Sequence, residues 1–128
     1  MTGVSTEIAP RSLIIKLTCG AEAPERANQA WTVAAAAVAA GVAVTVWLTG
    51  DGVWFAVPGR QPDLELPFAT PVADLVETVR GSGQIVVCTQ CAARRDLVES
   101  SLLPGVTIAG AASFVETVLA ADARSLVY

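Results

Sequence analysis

No histidine occurs anywhere in the chain, and that absence removes a large part of enzyme chemistry. Ser-His-Asp and Cys-His catalysis cannot be assembled within one copy, and the commonest metal ligand is missing. Charge is scarce as well, at 16% of residues, with eight Lys and Arg against twelve Asp and Glu for a net charge of -4. The basic residues are scattered, so no basic face is offered to a phosphate backbone and nucleic acid is not an expected partner. Phosphate fingerprints are missing too. The turn Thr18-Cys19-Gly20-Ala21-Glu22 carries one glycine, short of the G-x-G-x-x-G pattern, and the P-loop pattern is absent. No nucleotide, flavin or metal cofactor is therefore expected, which leaves the chemistry of cysteine and carboxylate.

The opening Met1–Pro10 lacks the basic start and apolar core of a secretory signal, so the expected location is the cytoplasm. Three cysteines, two of them in Cys88-Thr89-Gln90-Cys91, suit a reducing compartment better than a disulfide framework. A chain of 128 residues is long enough for one hydrophobic core and short for two. Residues 1–11 are read as a flexible N-terminus and 12–128 as one α/β domain.

What the chain has in abundance is apolar side chains, at 53% of residues. That is rich for so small a protein, and it points to burial against other subunits in a homo-oligomer. The run from Trp31 to Leu48 imitates a membrane span, with only Thr32, Gly41 and Thr45 interrupting it. Much of it is alanine, however, and Gly41 separates an alanine-rich, helix-prone half from the β-branched Val42-Ala43-Val44-Thr45-Val46. A helix followed by a buried strand is expected there, and no membrane partner.

Ser12–Thr18 has aliphatic residues on both faces, as a covered parallel strand does. Pro24 and Glu25 suit the first turn of a helix that should run to Ala40 and stop at Gly41. Val42–Leu48 reads as a second strand, Thr49-Gly50-Asp51-Gly52 as a turn, and Val53–Val57 as a short apolar segment. A long loop from Pro58 to Pro71 precedes a helix to Arg80, closed by Gly81-Ser82-Gly83. Gln84–Cys88 is a third strand, and Thr89–Val98 is compatible with helix. Val106–Ile108, Ala111–Ala121 and Ser125–Tyr128 then read as strand, helix and strand. Such alternation argues for an α/β fold with a parallel sheet covered by helices on both sides.

Reactive groups in open α/β sheets collect at the carboxyl ends of strands, and Cys19, Thr49-Gly50-Asp51 and Cys88 all fall there. Cys88 is best placed, because it ends an apolar strand and immediately precedes a helix whose free N–H groups favour a thiolate. Cys91 lies one helical turn on, where it can resolve a persulfide or close a disulfide with Cys88. Free cysteine also serves often as a small buried hydrophobe. On position alone the reactive and packing readings of Cys88 stand level, while Cys91 and Cys19 lean towards packing. Arg94 and Arg95 lie nearly two turns along and are given a supporting role. A single Cys-x-x-Cys without histidine cannot complete a tetrahedral zinc site. Trp31 and Trp47 are read as core, and Trp54 and Phe55 are divided between core and subunit interface. Asp51, between glycines, is read as a turn residue with a suggestive place beside Cys88.

Several stretches together resemble the DsrE/DsrF-like sulfur-relay family. They are Leu17-Thr18-Cys19-Gly20 with Pro24-Glu25-Arg26-Ala27, the run Ala39 to Val53, and Val86-Val87-Cys88 through Ala92-Ala93-Arg94-Arg95. The resemblance implies a three-layer α/β/α fold around a five-stranded, mainly parallel sheet, assembled as a trimer or hexamer. In active members a cysteine at the strand-to-helix junction carries sulfur as a persulfide and passes it to a partner protein. Cys88, with Arg94 and Arg95 downstream, matches that position. Two functions follow as expectations: a sulfur carrier or sulfurtransferase using Cys88 and Cys91, with a sulfur donor or acceptor protein as partner, or a non-catalytic oligomeric binding module with structural cysteines.

Overall fold

Five short segments rich in aliphatic residues form the sheet of the computed structural model, which describes residues 12–128. They are β1 (Ser12–Leu17), β2 (Ala43–Leu48), β3 (Gln84–Cys88), β4 (Thr107–Ala109) and β5 (Ala123–Val127). Every pairing is parallel and the order across the sheet is β4-β3-β2-β1-β5. The helices are α1 (Pro24–Ala39), α2 (Val72–Ser82), α3 (Thr89–Arg94) and α4 (Ala111–Val118). From β1 to β4 the chain steps one strand at a time in one direction, and from β4 to β5 it crosses back over the sheet. Right-handed crossovers put the connections of the first three steps on one face and α4 on the other.

The period of two along each strand divides the core accordingly. Ile15, Leu17, Val44, Val46, Leu48, Ile85 and Val87 pack with α1 and α2 in the larger cluster. Ile14, Trp47, Val86 and Ala123 face the other way and meet Phe114 and Val118 of α4. The three-layer α/β/α arrangement with a parallel five-stranded sheet is as the sequence leads one to expect.

Local chemistry sets the boundaries. Pro24 opens α1, where its missing N–H costs nothing, and Glu25 faces the positive end of the helix. Gly41, at φ +84°, ends it. The Gly41 N–H reaches the Val38 carbonyl at 3.0 Å and the Val42 N–H reaches that of Ala37 at 3.0 Å, the paired bonds of a Schellman motif. The apolar run therefore breaks into a helix and a strand, and among the described residues no helix is long and apolar enough to cross a membrane.

The structure differs from the sequence reading in instructive places. Phe55, which the sequence divides between core and subunit interface, falls in the core, because Gly50–Ala56 winds into a 3-10 helix that leaves Val53, Phe55 and Ala56 each 0% exposed. With three residues per turn, Val53 and Ala56 share a face, and Phe55 meets Trp31 edge-on at 5.7 Å between ring centroids. Only Trp54 stays half-buried, with the Arg60 guanidinium 4.1 Å from its ring centre. α2 runs through Gly81 and stops at Gly83, where a Cβ would fall 2.6 Å from the Val44 carbonyl oxygen. α4 ends at Val118 rather than Ala121, and β5 begins at Ala123 rather than Ser125. The expected flexible segment 1–11 lies outside the described residues.

Candidate functional site

All-parallel pairing gathers the five carboxyl ends on one rim of the sheet. There the turn after β1 and the turn after β2 touch backbone to backbone, and glycine makes this possible. A Cβ at Gly20 would sit 2.6 Å from the Asp51 carbonyl oxygen, and one at Gly52 would sit 3.0 Å and 3.1 Å from those of Leu17 and Cys19. Gly50 combines φ +53° with a would-be Cβ only 2.8 Å from the Thr18 carbonyl oxygen. The Thr49 N–H ties the two loops by donating to the Leu17 carbonyl at 2.9 Å. The outcome is that the Gly50 N–H points at a sulfur, donating to Cys91 Sγ at 3.2 Å.

Cys91 is thus a buried thiol in the first turn of α3, part of the main core. Cys88 is different. It closes β3, stands at the N-cap of α3 and is half-buried. Burial pushes its thiol up, but the N–H groups of Cys91 and Gln90, the Cys91 thiol and the charge of Lys16 together outweigh that and hold it below the ordinary thiol value. Cys19 shows the opposite balance, raised first by burial and then by Glu22. Its Sγ donates weakly to the Ala23 carbonyl at 3.9 Å. The three thiols are free.

Two residues on from Val86, Cys88 falls on the α4 side of the sheet. It opens into a cavity of about 80 Å³ walled by Lys16, Trp47, Thr49 and Phe114, with Gly110 and Ala111 leading into α4. Lys16 Nζ lies 5.3 Å from the Phe114 ring centre, and Trp47 meets the same ring edge-on at 5.3 Å between centroids. A roomier cavity, of about 470 Å³ between Glu25–Gln29 and Leu66–Ala69, holds neither a cysteine nor a cation.

The structure brings Cys88 and Cys91 together and leaves Cys19 apart from them. Asp51 is not a neighbour acting on Cys88. It pairs with Arg95, whose Nη2 donates to Oδ1 at 2.9 Å while Nη1 donates to the Cys91 carbonyl at 3.1 Å. Arg95 therefore pins the end of α3 to the 3-10 helix, and Arg94 makes only a 3.4 Å bond to Gln90. Sequence reasoning placed Thr49 at this rim, missed Lys16 and Phe114, and read Trp47 as core rather than as a contact of the site. One signal was present for Lys16: a single charge inside the aliphatic strand Leu13-Ile14-Ile15-Lys16-Leu17.

The profile of the DsrE/DsrF-like family matches residues 12–124. Among solved structures the chain is similar to the ychN protein from E. coli, with a TM-score of 0.76 and 17% identity, over 92% of this chain and 99% of that one. It is also similar to MTH1491, a protein of unknown function from Methanobacterium thermoautotrophicum, with a TM-score of 0.64 and 10% identity, over 91% and 98% of the two chains. Both likenesses are of fold. No functionally curated protein matches the chain.

Proposed function

The chain belongs to the DsrE/DsrF-like family, and from that premise we propose that it is a sulfur carrier or sulfurtransferase that holds sulfur as a persulfide on Cys88 and passes it to a partner protein. The observation that carries this reading is the setting of the Cys88 thiol. It opens into a cavity, the N–H groups of Gln90 and Cys91 at the start of α3 favour its thiolate, and Lys16 lines the same cavity. Each of these favours negative sulfur, and the anionic form is the nucleophile of a thiol and the stable form of a persulfide.

Cys91 is the second member of the pair. Its thiolate attacks the inner sulfur of a Cys88 persulfide, the outer sulfur leaves as hydrosulfide, and a Cys88–Cys91 disulfide remains for an external thiol to reduce. Burial under the Gly50 turn makes that step slower than transfer to an incoming acceptor. Free thiols of this kind suit the cytoplasm. A homo-oligomer, trimer or hexamer, is supported by the exposed apolar residues Val115 of α4, Leu119 just past its end and Val127 of β5.

The competing reading, an oligomeric binding module, draws on the burial of Cys19 and Cys91. The two are separated by treating the protein with inorganic polysulfide or a cysteine-desulfurase system and weighing its peptides. One added sulfur atom should map to Cys88 and be lost in Cys88→Ser while persisting in Cys19→Ser. Sulfur on Cys19 or Cys91 alone refutes the assignment, and three inert cysteines favour the binding module.

A further inference from the structure

Lys16 breaks the ordinary rules of a parallel sheet. β1 lies between β2 and β5, and its residues Ile14, Ile15 and Leu17 are at most 1% exposed. A cation in such a strand loses hydration that a carboxylate would ordinarily offset, yet the salt bridges among the described residues are Arg80–Glu77 and Arg95–Asp51, and neither involves Lys16. What it meets is the Phe114 ring and the cavity that holds Cys88. Trp47, 4% exposed, forms an apolar wall of the same cavity. The cavity therefore has a cation and no acidic side chain in its walls.

We propose that this cavity takes a small anionic sulfane-sulfur compound of the inorganic polysulfide class, with Lys16 binding it and positioning it against Cys88. The inference rests on the persulfide reading and names its donor. Size supports the choice: about 80 Å³ is room for roughly two or three water-sized groups, which suits a short chain of sulfur atoms and excludes a nucleotide. In the loading step the Cys88 thiolate attacks the terminal sulfur of the polysulfide dianion. An S–S bond forms at Cys88 and the donor's own S–S bond breaks, its electron pair leaving on a dianion one sulfur shorter. Cys88 ends as the perthiolate, sulfur and charge are equal on both sides, and no oxidant or reductant enters. Lys16 faces negative charge before, during and after the transfer.

The test compares the native protein with Lys16→Met, Lys16→Gln and Lys16→Arg. Cys88 is alkylated with iodoacetate, an anion, and with iodoacetamide, its neutral counterpart, and the products are mapped by mass spectrometry. The neutral reagent reads the available thiolate, so the ratio of the two rates isolates the attraction for an anion. Lys16→Met should lower that ratio about fivefold, the effect of one partly screened charge pair, and Lys16→Arg should restore it. Loading by inorganic polysulfide should fall in Lys16→Met and in Lys16→Gln and return in Lys16→Arg. An unchanged ratio in Lys16→Met overturns the role of Lys16. Unchanged polysulfide loading in both neutral variants overturns the choice of donor, and Lys16→Gln, which keeps a polar side chain, decides both questions if Lys16→Met fails to fold. If the native protein takes sulfur on no cysteine, the persulfide reading falls with its donor, while the alkylation ratio still decides whether the cavity attracts anions.

Discussion

Replacing Gly50 with alanine should destabilise the protein by about 2–4 kcal/mol and expose Cys91. Two contributions add. An L-residue at φ +53° costs roughly 1–2 kcal/mol over glycine. The new Cβ would then lie 2.8 Å from the Thr18 carbonyl oxygen, which is backbone at the end of a central strand and cannot swing aside. Forcing such a contact costs about 1–3 kcal/mol, and the smaller freedom of alanine in the unfolded chain returns about 0.4–1 kcal/mol. Two further glycines supply controls. Gly59 has φ +78° with nothing within 4 Å of a Cβ, so Gly59→Ala carries the conformational cost alone, about 1 kcal/mol. Gly81 lies inside α2 with open space around it and an ordinary φ, so Gly81→Ala should stabilise by about 0.5–1 kcal/mol. Urea unfolding followed by tryptophan fluorescence reads all three, and with a slope of roughly 1–3 kcal/mol per molar urea the Gly50 midpoint should fall by about 1–2 M. If Gly50→Ala costs no more than Gly59→Ala, the two loops do not meet as described, and the hydrogen bond from Gly50 to Cys91 goes with them.

The cysteines should alkylate in a fixed order as pH rises. Thiolate is the reacting form, so Cys88, lowered from its ordinary value by its N–H donors and Lys16 against the opposing pull of burial, reacts first and its rate–pH curve lies to the acid side. Cys19, raised by burial and Glu22, should react last, as peptide mapping after iodoacetamide treatment would show; reaction of Cys19 before Cys88 contradicts the geometry. Phe55→Ala should cost about 3–5 kcal/mol, because the ring is 0% exposed and packs on Trp31. A loss under about 1 kcal/mol by urea unfolding would remove Phe55 from the core and favour the interface reading that the sequence left level with it.

The elements that were legible in the sequence are those whose signal is local. Ser12–Leu17, Ala43–Leu48 and Gln84–Cys88 are mostly aliphatic runs, interrupted only by single residues such as Lys16 and Thr45, and Gly41 marks the end of α1 because no other residue fits its φ so cheaply. Cys88 was legible for the same reason, since a cysteine closing an apolar strand needs no distant partner to be noticed. β5 was placed less well because it is an edge strand, with Arg124, Ser125, Leu126 and Val127 all exposed and no alternation to read. The burial of Phe55 depends on Trp31 from α1, and the period of three in a 3-10 helix resembles neither strand nor α-helix. Most of the site is non-local. Gly50 and Cys91 are 41 residues apart and Asp51 and Arg95 are 44 apart, so no spacing rule connects them. Lys16 gains its meaning only when β2, β3 and α4 close a cavity around it.

The division of labour between two cysteines three residues apart follows from the junction between a strand and a helix. A strand sends successive side chains to opposite faces, so Cys88 inherits from Val86 the side of the sheet that one short helix covers, where a cavity survives. The helix that follows turns by its own period, and its third residue swings under the 3-10 helix into the thick layer with α1 and α2. One thiol is therefore half-buried beside a cation and the first N–H groups of α3, while the other is buried in the hydrocarbon layer under the N–H of Gly50. A sulfur carrier requires this inequality. Two equally exposed thiolates would close a disulfide as soon as either was loaded, whereas a buried partner would leave a persulfide of the proposed kind on Cys88 time to meet an acceptor.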